Sequence, residues 1–379
     1  MKKLIFIIAA VALIASPAMA VDWAFYGSAR IQTGYFDDDN GDGGVNPNFG
    51  AANNGGGVGF PIATPNGNKN SDNTFDYSGL DATSRIGARV KGDPIQGRFE
   101  IRPDSGGSWR LLYGQWKINS GFRLRIGKDW TPLTYFYSGQ QVNDAGMAGP
   151  DGAGGVTLFR QKMIQAIIGE GQNFVVAIHQ GNALSEGDGD VDITIPVIQA
   201  NYHFPGDSFF FDVGGAYWTY EVEGDGTAAS PDDDVSAYVL AGGGGFNFGP
   251  AYIKANGWMG MNVSELGMFT NGLFYDSTPT PTNGGNYKDT DSWGALGVVG
   301  FRFTDQMAVE GGVGYETHDP DAAGAEEDET MAFYAHFNYT AAPGVSIIPE
   351  IGYIDYQDDA TGTDAGERTY FSVKWQIDF

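Results

Sequence analysis

From residue 21 onward the chain is a succession of stretches, each about 9 to 12 residues, in which apolar and polar side chains alternate with period two. In the first, Phe25, Ala29, Ile31 and Tyr35 share one face, and Tyr26, Ser28, Arg30 and Gln32 share the other. In the last, Tyr370 precedes Phe371, Val373, Trp375, Ile377 and Phe379, which alternate with Ser372, Lys374, Gln376 and Asp378. The pattern predicts strands at 23–36, 82–91, 95–102, 108–118, 122–130, 158–168, 173–181 and 191–204. It predicts further strands at 208–221, 234–248, 251–261, 291–303, 307–317, 329–339, 345–356 and 367–379.

The connections alternate in length. Tight turns lie at Gly92-Asp93-Pro94, Asn119-Ser120-Gly121, Gly169-Glu170-Gly171, Pro205-Gly206-Asp207, Gly249-Pro250, Thr304-Asp305 and Ala342-Pro343-Gly344. Longer segments rich in Gly, Asp and Asn separate them, near 37–79, 103–107, 131–155, 181–190, 222–233, 262–290, 318–328 and 357–366. Seven tight turns and eight long loops join 16 strands with both ends on the tight-turn side. An even count lets the first strand meet the last and removes both open edges. The predicted fold is therefore all-β, a 16-stranded antiparallel transmembrane barrel with short periplasmic turns and long extracellular loops. No repeat or linker divides it.

Composition narrows the partners. The 379 residues include 25 Phe, 19 Tyr, 8 Trp and 58 Gly, and no Cys, so a disulfide scaffold, a thiolate metal site and a cysteine nucleophile are excluded. The net charge of -26 repels phosphate backbones, and nucleic acid is not an expected partner. Met1, Lys2 and Lys3 precede an apolar run at 4–15, and Ser16-Pro17-Ala18-Met19-Ala20 ends in a small-x-small cleavage pattern. The expected organisation is a signal peptide at 1–20 and one barrel domain at 21–379. The apolar run falls short of the roughly 20 residues of a spanning helix.

Several local sequences in this order carry a family resemblance. They are Trp23-Ala24-Phe25-Tyr26-Gly27-Ser28-Ala29-Arg30, Ser84-Arg85-Ile86-Gly87-Ala88-Arg89-Val90-Lys91, Gly127-Lys128-Asp129-Trp130-Thr131-Pro132 and the closing Phe379. Over essentially the whole mature chain the sequence resembles the trimeric general porins of Gram-negative outer membranes, most of all porins of sulfate-reducing bacteria. The resemblance implies a homotrimer of 16-stranded barrels, with the third long loop folded into the lumen. It also implies Phe379 as the C-terminal signal read by the barrel-insertion machinery during assembly, and outer-membrane lipid and lipopolysaccharide as surroundings. The Pro-Glu-Phe-Gly-Gly motif of enterobacterial porins is replaced by Met147-Ala148-Gly149-Pro150-Asp151-Gly152-Ala153-Gly154-Gly155.

Charge placement is the sharpest functional signal. Removing Lys2 and Lys3 leaves 19 basic residues, of which 12 fall between Arg30 and Lys128. By parity, Arg30, Arg85, Arg89, Arg98, Arg102, Arg123 and Arg125 oppose their apolar neighbours and would line one wall of the lumen. With Asp93-Pro94 at the hairpin centre, Arg89 would face Arg98 and Arg85 would face Arg102. Like charges directly opposite are destabilising, so stability alone does not place them there. One reading sets this ladder against acidic groups of the inward loop, with Asp129, Asp144 and Asp151 as candidates, giving a transverse field that biases ion passage. The other has the arginines solvate the lumen or pair with Glu100.

Acidic residues concentrate instead in the long loops. Asp38, Asn40 and Asp42 match the first half of a calcium loop, but its twelfth position is Phe49 rather than Glu, so a solvated loop is favoured over loop-bound calcium and no other cofactor is expected. Aromatics at strand ends (Trp23, Tyr35, Trp116, Trp130, Trp258, Trp293, Tyr339, Tyr353 and Phe379) supply candidates for interfacial girdles, while Tyr113 points inward. His179, His203, His318 and His336 lack an accompanying nucleophile motif, and catalysis is not expected. These readings converge on a water-filled outer-membrane channel for ions and small hydrophilic solutes. The alternatives are a substrate-specific barrel channel and a soluble secreted carbohydrate-binding β-protein.

Overall fold

The computed structural model describes residues 21–39, 74–80, 83–103, 107–141, 153–171, 173–181, 191–223, 232–268, 279–281 and 287–379. Within them the strands close into a 16-stranded antiparallel barrel. Strand β1 is Asp22–Asp39, β2 has two segments (Thr74–Leu80 and Arg85–Lys91), β3 is Ile95–Arg102 and β4 is Ser108–Asn119. Next come β5 (Phe122–Trp130), β6 (Arg160–Ile168), β7 (Phe174–His179) and β8, again in two segments (Val191–Asp192 and Val197–Pro205). The remainder are β9 (Phe209–Val222), β10 (Asp233–Phe248), β11 (Ala251–Met261), β12 (Thr290–Thr304), β13 (Met307–Pro320), β14 (Asp328–Ala342), β15 (Val345–Asp355) and β16 (Glu367–Asp378).

Each predicted strand has its counterpart, and two differ in shape for local reasons. The predicted loop 37–79 contains the first segment of β2, where Phe75 and Tyr77 pair with Tyr35 and Thr33 of the long β1. The predicted strand 191–204 is interrupted between Asp192 and Val197, where Pro196 has no N–H to give the ladder. Closure is made by β1 on β16, in register from Ser28 opposite Asp378 to Asp39 opposite Glu367. Phe379 extends it, exchanging two backbone hydrogen bonds with Gly27 at 2.6 and 3.0 Å.

Parity decides what faces outward. Phe25, Ile86, Leu112, Trp116, Ile126, Val213, Leu240, Val299, Ile351 and Trp375 all stand on the outer surface, between 47% and 75% exposed. A continuous exposed apolar belt of this kind marks a surface that meets an apolar medium. Among the girdle candidates, Trp23, Trp293 and Phe379 are exposed, whereas Trp258 is buried inside the barrel.

The interior is not uniformly polar. Trp218, Val235, Val239, Trp258, Leu296 and Val298 turn inward and are buried with Leu133, Tyr135, Val156 and Leu158 in one apolar cluster. They are buried because a chain segment covers them.

Candidate functional site

That segment is the bent continuation of the β5–β6 hairpin. Beyond Trp130 the two arms stay paired, Thr131 N–H to Phe159 O at 2.9 Å, Tyr135 N–H to Val156 O at 2.8 Å and Leu158 N–H to Leu133 O at 3.0 Å. They turn off the wall and run inside the barrel. Glycine makes room for them: a Cβ on Gly214 would lie 2.7 Å from Leu133, and one on Gly243 would lie 2.6 Å from Tyr137. The glycine runs of β9 and β10 are thus the seat of the inward hairpin. Burying each large apolar side chain there contributes about 1.5–3 kcal/mol.

Polar anchors fix its course. The Tyr135 hydroxyl donates to Asn201 at 2.8 Å, and Tyr137 donates to Asp212 Oδ2 at 2.7 Å. Gly139 N–H donates to Glu310 Oε1 and Gln141 N–H to Glu350 Oε2, both at 2.6 Å. On the returning arm Gly154 N–H reaches Glu316 Oε2 at 3.0 Å. Lys254 Nζ donates to Tyr137 O at 3.0 Å. The segment therefore skirts the inner wall from β8 to β15, held chiefly by carboxylates of the barrel itself. Burial pushes the Tyr135 and Tyr137 phenols far above their ordinary value, with Asp212 adding to the effect, so both remain hydrogen-bond donors.

The opposite wall, β2 to β5, carries the arginines. Arg89 and Arg98 face each other across the β2–β3 ladder, and their guanidinium groups lie 5.2 and 5.4 Å from the Tyr26 ring centroid. The ladder places Ile86 opposite Ile101, one step short of Arg85 and Arg102. Glu100, buried, collects this wall: it pairs with Arg98, with Arg110 at 3.6 Å and with Arg85 at 3.9 Å, and accepts from Tyr26 at 2.8 Å. Arg30 lies against Ser28 and Thr83. Arg125 bonds Gln115 at 2.7 Å, pairs with the buried Asp129 four residues on, and covers the Tyr113 ring at 4.5 Å. Arg123 sits at the short-turn end, donating to Gly169 O at 2.7 Å. Asp144, Asp151, Asn40 and Asp42 lie outside the described residues, as do residues 1–20 and the Asp38 side chain.

Arg110 escaped the parity reading for a physical reason. Glu100 pairs with Leu111 while Ile101 pairs with Trp109, so Arg110 is the extra residue of a β-bulge and joins the inward face out of phase. Arg160 escaped it too, standing where the hairpin bends, 4.8 Å above the Trp130 ring and within electrostatic reach of Arg110, Glu100, Arg85 and Arg102. A cluster absent from the sequence motifs joins His318 to Ser292 at 2.8 Å and to Glu316 at 3.8 Å. All three are at most 4% exposed, and Glu316 is already bound to the hairpin, so the cluster offers no surface to a substrate.

No family model matches this sequence and no curated protein matches it. Solved structures do. The outer membrane channel DcaP of Acinetobacter baumannii superimposes with a TM-score of 0.72 at 16% identity, over 96% of this chain and 99% of that one. The anion-selective porin from Comamonas acidovorans gives 0.60 at 13% identity over 95% and 100%. The in-vitro folded outer membrane protein OmpT of Vibrio cholerae, in its trimer form, gives 0.56 at 14% over 95% and 100%. The chain has the closed 16-stranded barrel fold of outer-membrane channel proteins.

Proposed function

We propose that this protein is a porin of a Gram-negative outer membrane, forming a water-filled channel for passive diffusion of ions and small hydrophilic solutes. The observation that carries this reading is the divided interior: an inward hairpin packed against β8 to β15, and a basic wall on β2 to β5 left facing it. An apolar outer belt suits lipid, and a barrel satisfies every backbone group within it. Export by a signal peptide at 1–20, assembly as a homotrimer, and contact with lipopolysaccharide belong to the same reading. The trimer form of the Vibrio cholerae protein supports it by likeness of fold alone.

Selectivity is assigned to the basic wall. Glu100 is one carboxylate among Arg85, Arg98 and Arg110, so positive charge is in excess there and anions are favoured. Arg125 covers one face of the Tyr113 ring at 4.5 Å, which weighs against a sugar-stacking role for it. No catalytic role is assigned.

Single-channel recording in a planar bilayer with a salt gradient tests this. Conductance steps in triplets with a reversal potential on the anion side are expected, and Arg85→Ser with Arg89→Ser should move that potential toward cations. Folded protein without conductance would remove the open-channel reading. An unmoved potential would leave the channel and remove the role of the arginines.

A further inference from the structure

Among the described residues, the outer face carries a pair of basic side chains that the lumen does not use. Lys128 on β5 and Lys162 on β6 lie directly opposite one another, and Leu112 on β4 occupies the same row. Residues opposite each other in an antiparallel pair share a face. Leu112 is 50% exposed, and Ile126 and Ile164, two positions along from the lysines, are 55% and 45% exposed, so the row belongs to the apolar belt. The intervening Asp129 and Met163 are buried and point inward.

Within the described residues neither ammonium has a hydrogen-bond or ion-pair partner, and the charged neighbours of Lys128 are Arg160, Lys162 and Arg110, all basic. Like charges directly opposite on a strand pair are unfavourable, and cations in an apolar belt more so. Their height resolves the conflict. They sit two residues below Trp130 and Arg160, at the long-loop end, where strands leave the belt and long side chains reach headgroups. Elsewhere on that rim exposed charge among the described residues is mostly acidic: Asp192, Glu221 and Asp234 stand in one cross-strand row, Asp291 faces Asp319, and the exposed Lys288 lies 4.0 Å from Asp321. An anionic headgroup is repelled there and attracted at Lys128 and Lys162.

We infer that Lys128 and Lys162 form a clamp for the phosphate of an outer-leaflet lipid headgroup. The inference rests on the membrane reading above. The two ammonium groups donate to phosphate oxygens while the acyl chains lie on Leu112, Ile126 and Ile164.

The test is native mass spectrometry of the full chain in detergent, titrated with bisphosphorylated lipid A and with the same lipid stripped of phosphate. Wild type should retain the phosphorylated lipid roughly 10- to 30-fold better than K128Q/K162Q, with K162Q alone intermediate and K128R/K162R close to wild type. The stripped lipid should bind all forms alike. Equal retention of phosphorylated lipid by wild type and both glutamine variants overturns the clamp, as does equal binding of the two lipids by wild type. Loss of oligomer in K162Q with unchanged lipid retention overturns it too, assigning the pair to a contact between copies. Failure of the membrane reading looks different: no lipid of either kind is retained and the protein stays soluble without detergent.

Discussion

Tyr137 and Asp212 join the inward hairpin to the barrel wall: the phenol donates to Oδ2 at 2.7 Å, and the same carboxylate accepts from Asn201 at 3.1 Å and contacts His203 at 3.0 Å. The wall carboxylate is thus an anchor fixed from both sides, and the hairpin hangs on a row of such anchors. Tyr137→Phe removes one charge-assisted bond, costing about 1.5–3 kcal/mol of local docking free energy. Open-channel current noise should rise, and protease cleavage within 131–141 should speed up by roughly tenfold. Unchanged noise and cleavage would show that apolar packing alone seats the hairpin.

Gly154 is the position where the returning arm tolerates no side chain. Its φ of +74° is left-handed, and a Cβ there would lie 2.0 Å from Ala295 O, a backbone atom that cannot swing aside. Gly154→Ala should destabilise the seated hairpin by about 1–3 kcal/mol or more. A higher single-channel conductance together with a lower unfolding temperature is expected. Gly324→Ala makes the control, being left-handed at φ +90° with nothing within 4 Å of its Cβ.

Glu100 holds the arginine wall together, and its removal should act in two measurable ways. Glu100→Gln leaves Arg85, Arg98 and Arg110 without their shared carboxylate, and breaking a buried pair costs about 3–5 kcal/mol. The unfolding temperature should fall. The reversal potential should move further toward anions, opposite in sign to the Arg85→Ser and Arg89→Ser result. A shift toward cations would mean that the wall had collapsed rather than lost its counter-charge.

Asp359, in the connection between β15 and β16, predicts the pH behaviour of its turn. Burial pushes its carboxyl up, but bonds from the Thr361 hydroxyl and from the Thr361 and Thr363 amides outweigh this and hold it below the usual range. A lowered folded value contributes stability above the unfolded value of about 3.9, and this is lost as pH falls through the folded value. Amide protection at Thr361 and Thr363 should therefore hold at neutral pH and fade below about pH 4. In Asp359→Ala it should be low throughout.

Most of the barrel was legible in the chain. Sixteen strands with their alternating faces, the tight turns, and the meeting of Arg89 with Arg98 follow from period-two patterning and turn chemistry, because both are local properties. The segment holding Phe75 and Tyr77 was less so: its Gly, Asp and Asn neighbours suggest a loop, and pairing with β1 is what holds it extended.

Periodicity alone set which positions of each strand share a face; what lies against each position was decided in three dimensions. Trp258 stands near a strand end and reads as a girdle candidate, yet it is buried with Val239 inside the barrel, because a hairpin from β5 and β6 returns through it to cover them. Arg110 changed face through a single bulge, which shifts the period by one residue and leaves no signature in composition. The carboxylates that hold the hairpin come from β9, β13 and β15, brought round to β5 only by closure of the barrel. Alternation of faces is set by bonds between adjacent residues, whereas these contacts join residues 75 to 209 positions apart, and only the closed sheet supplies that distance relation.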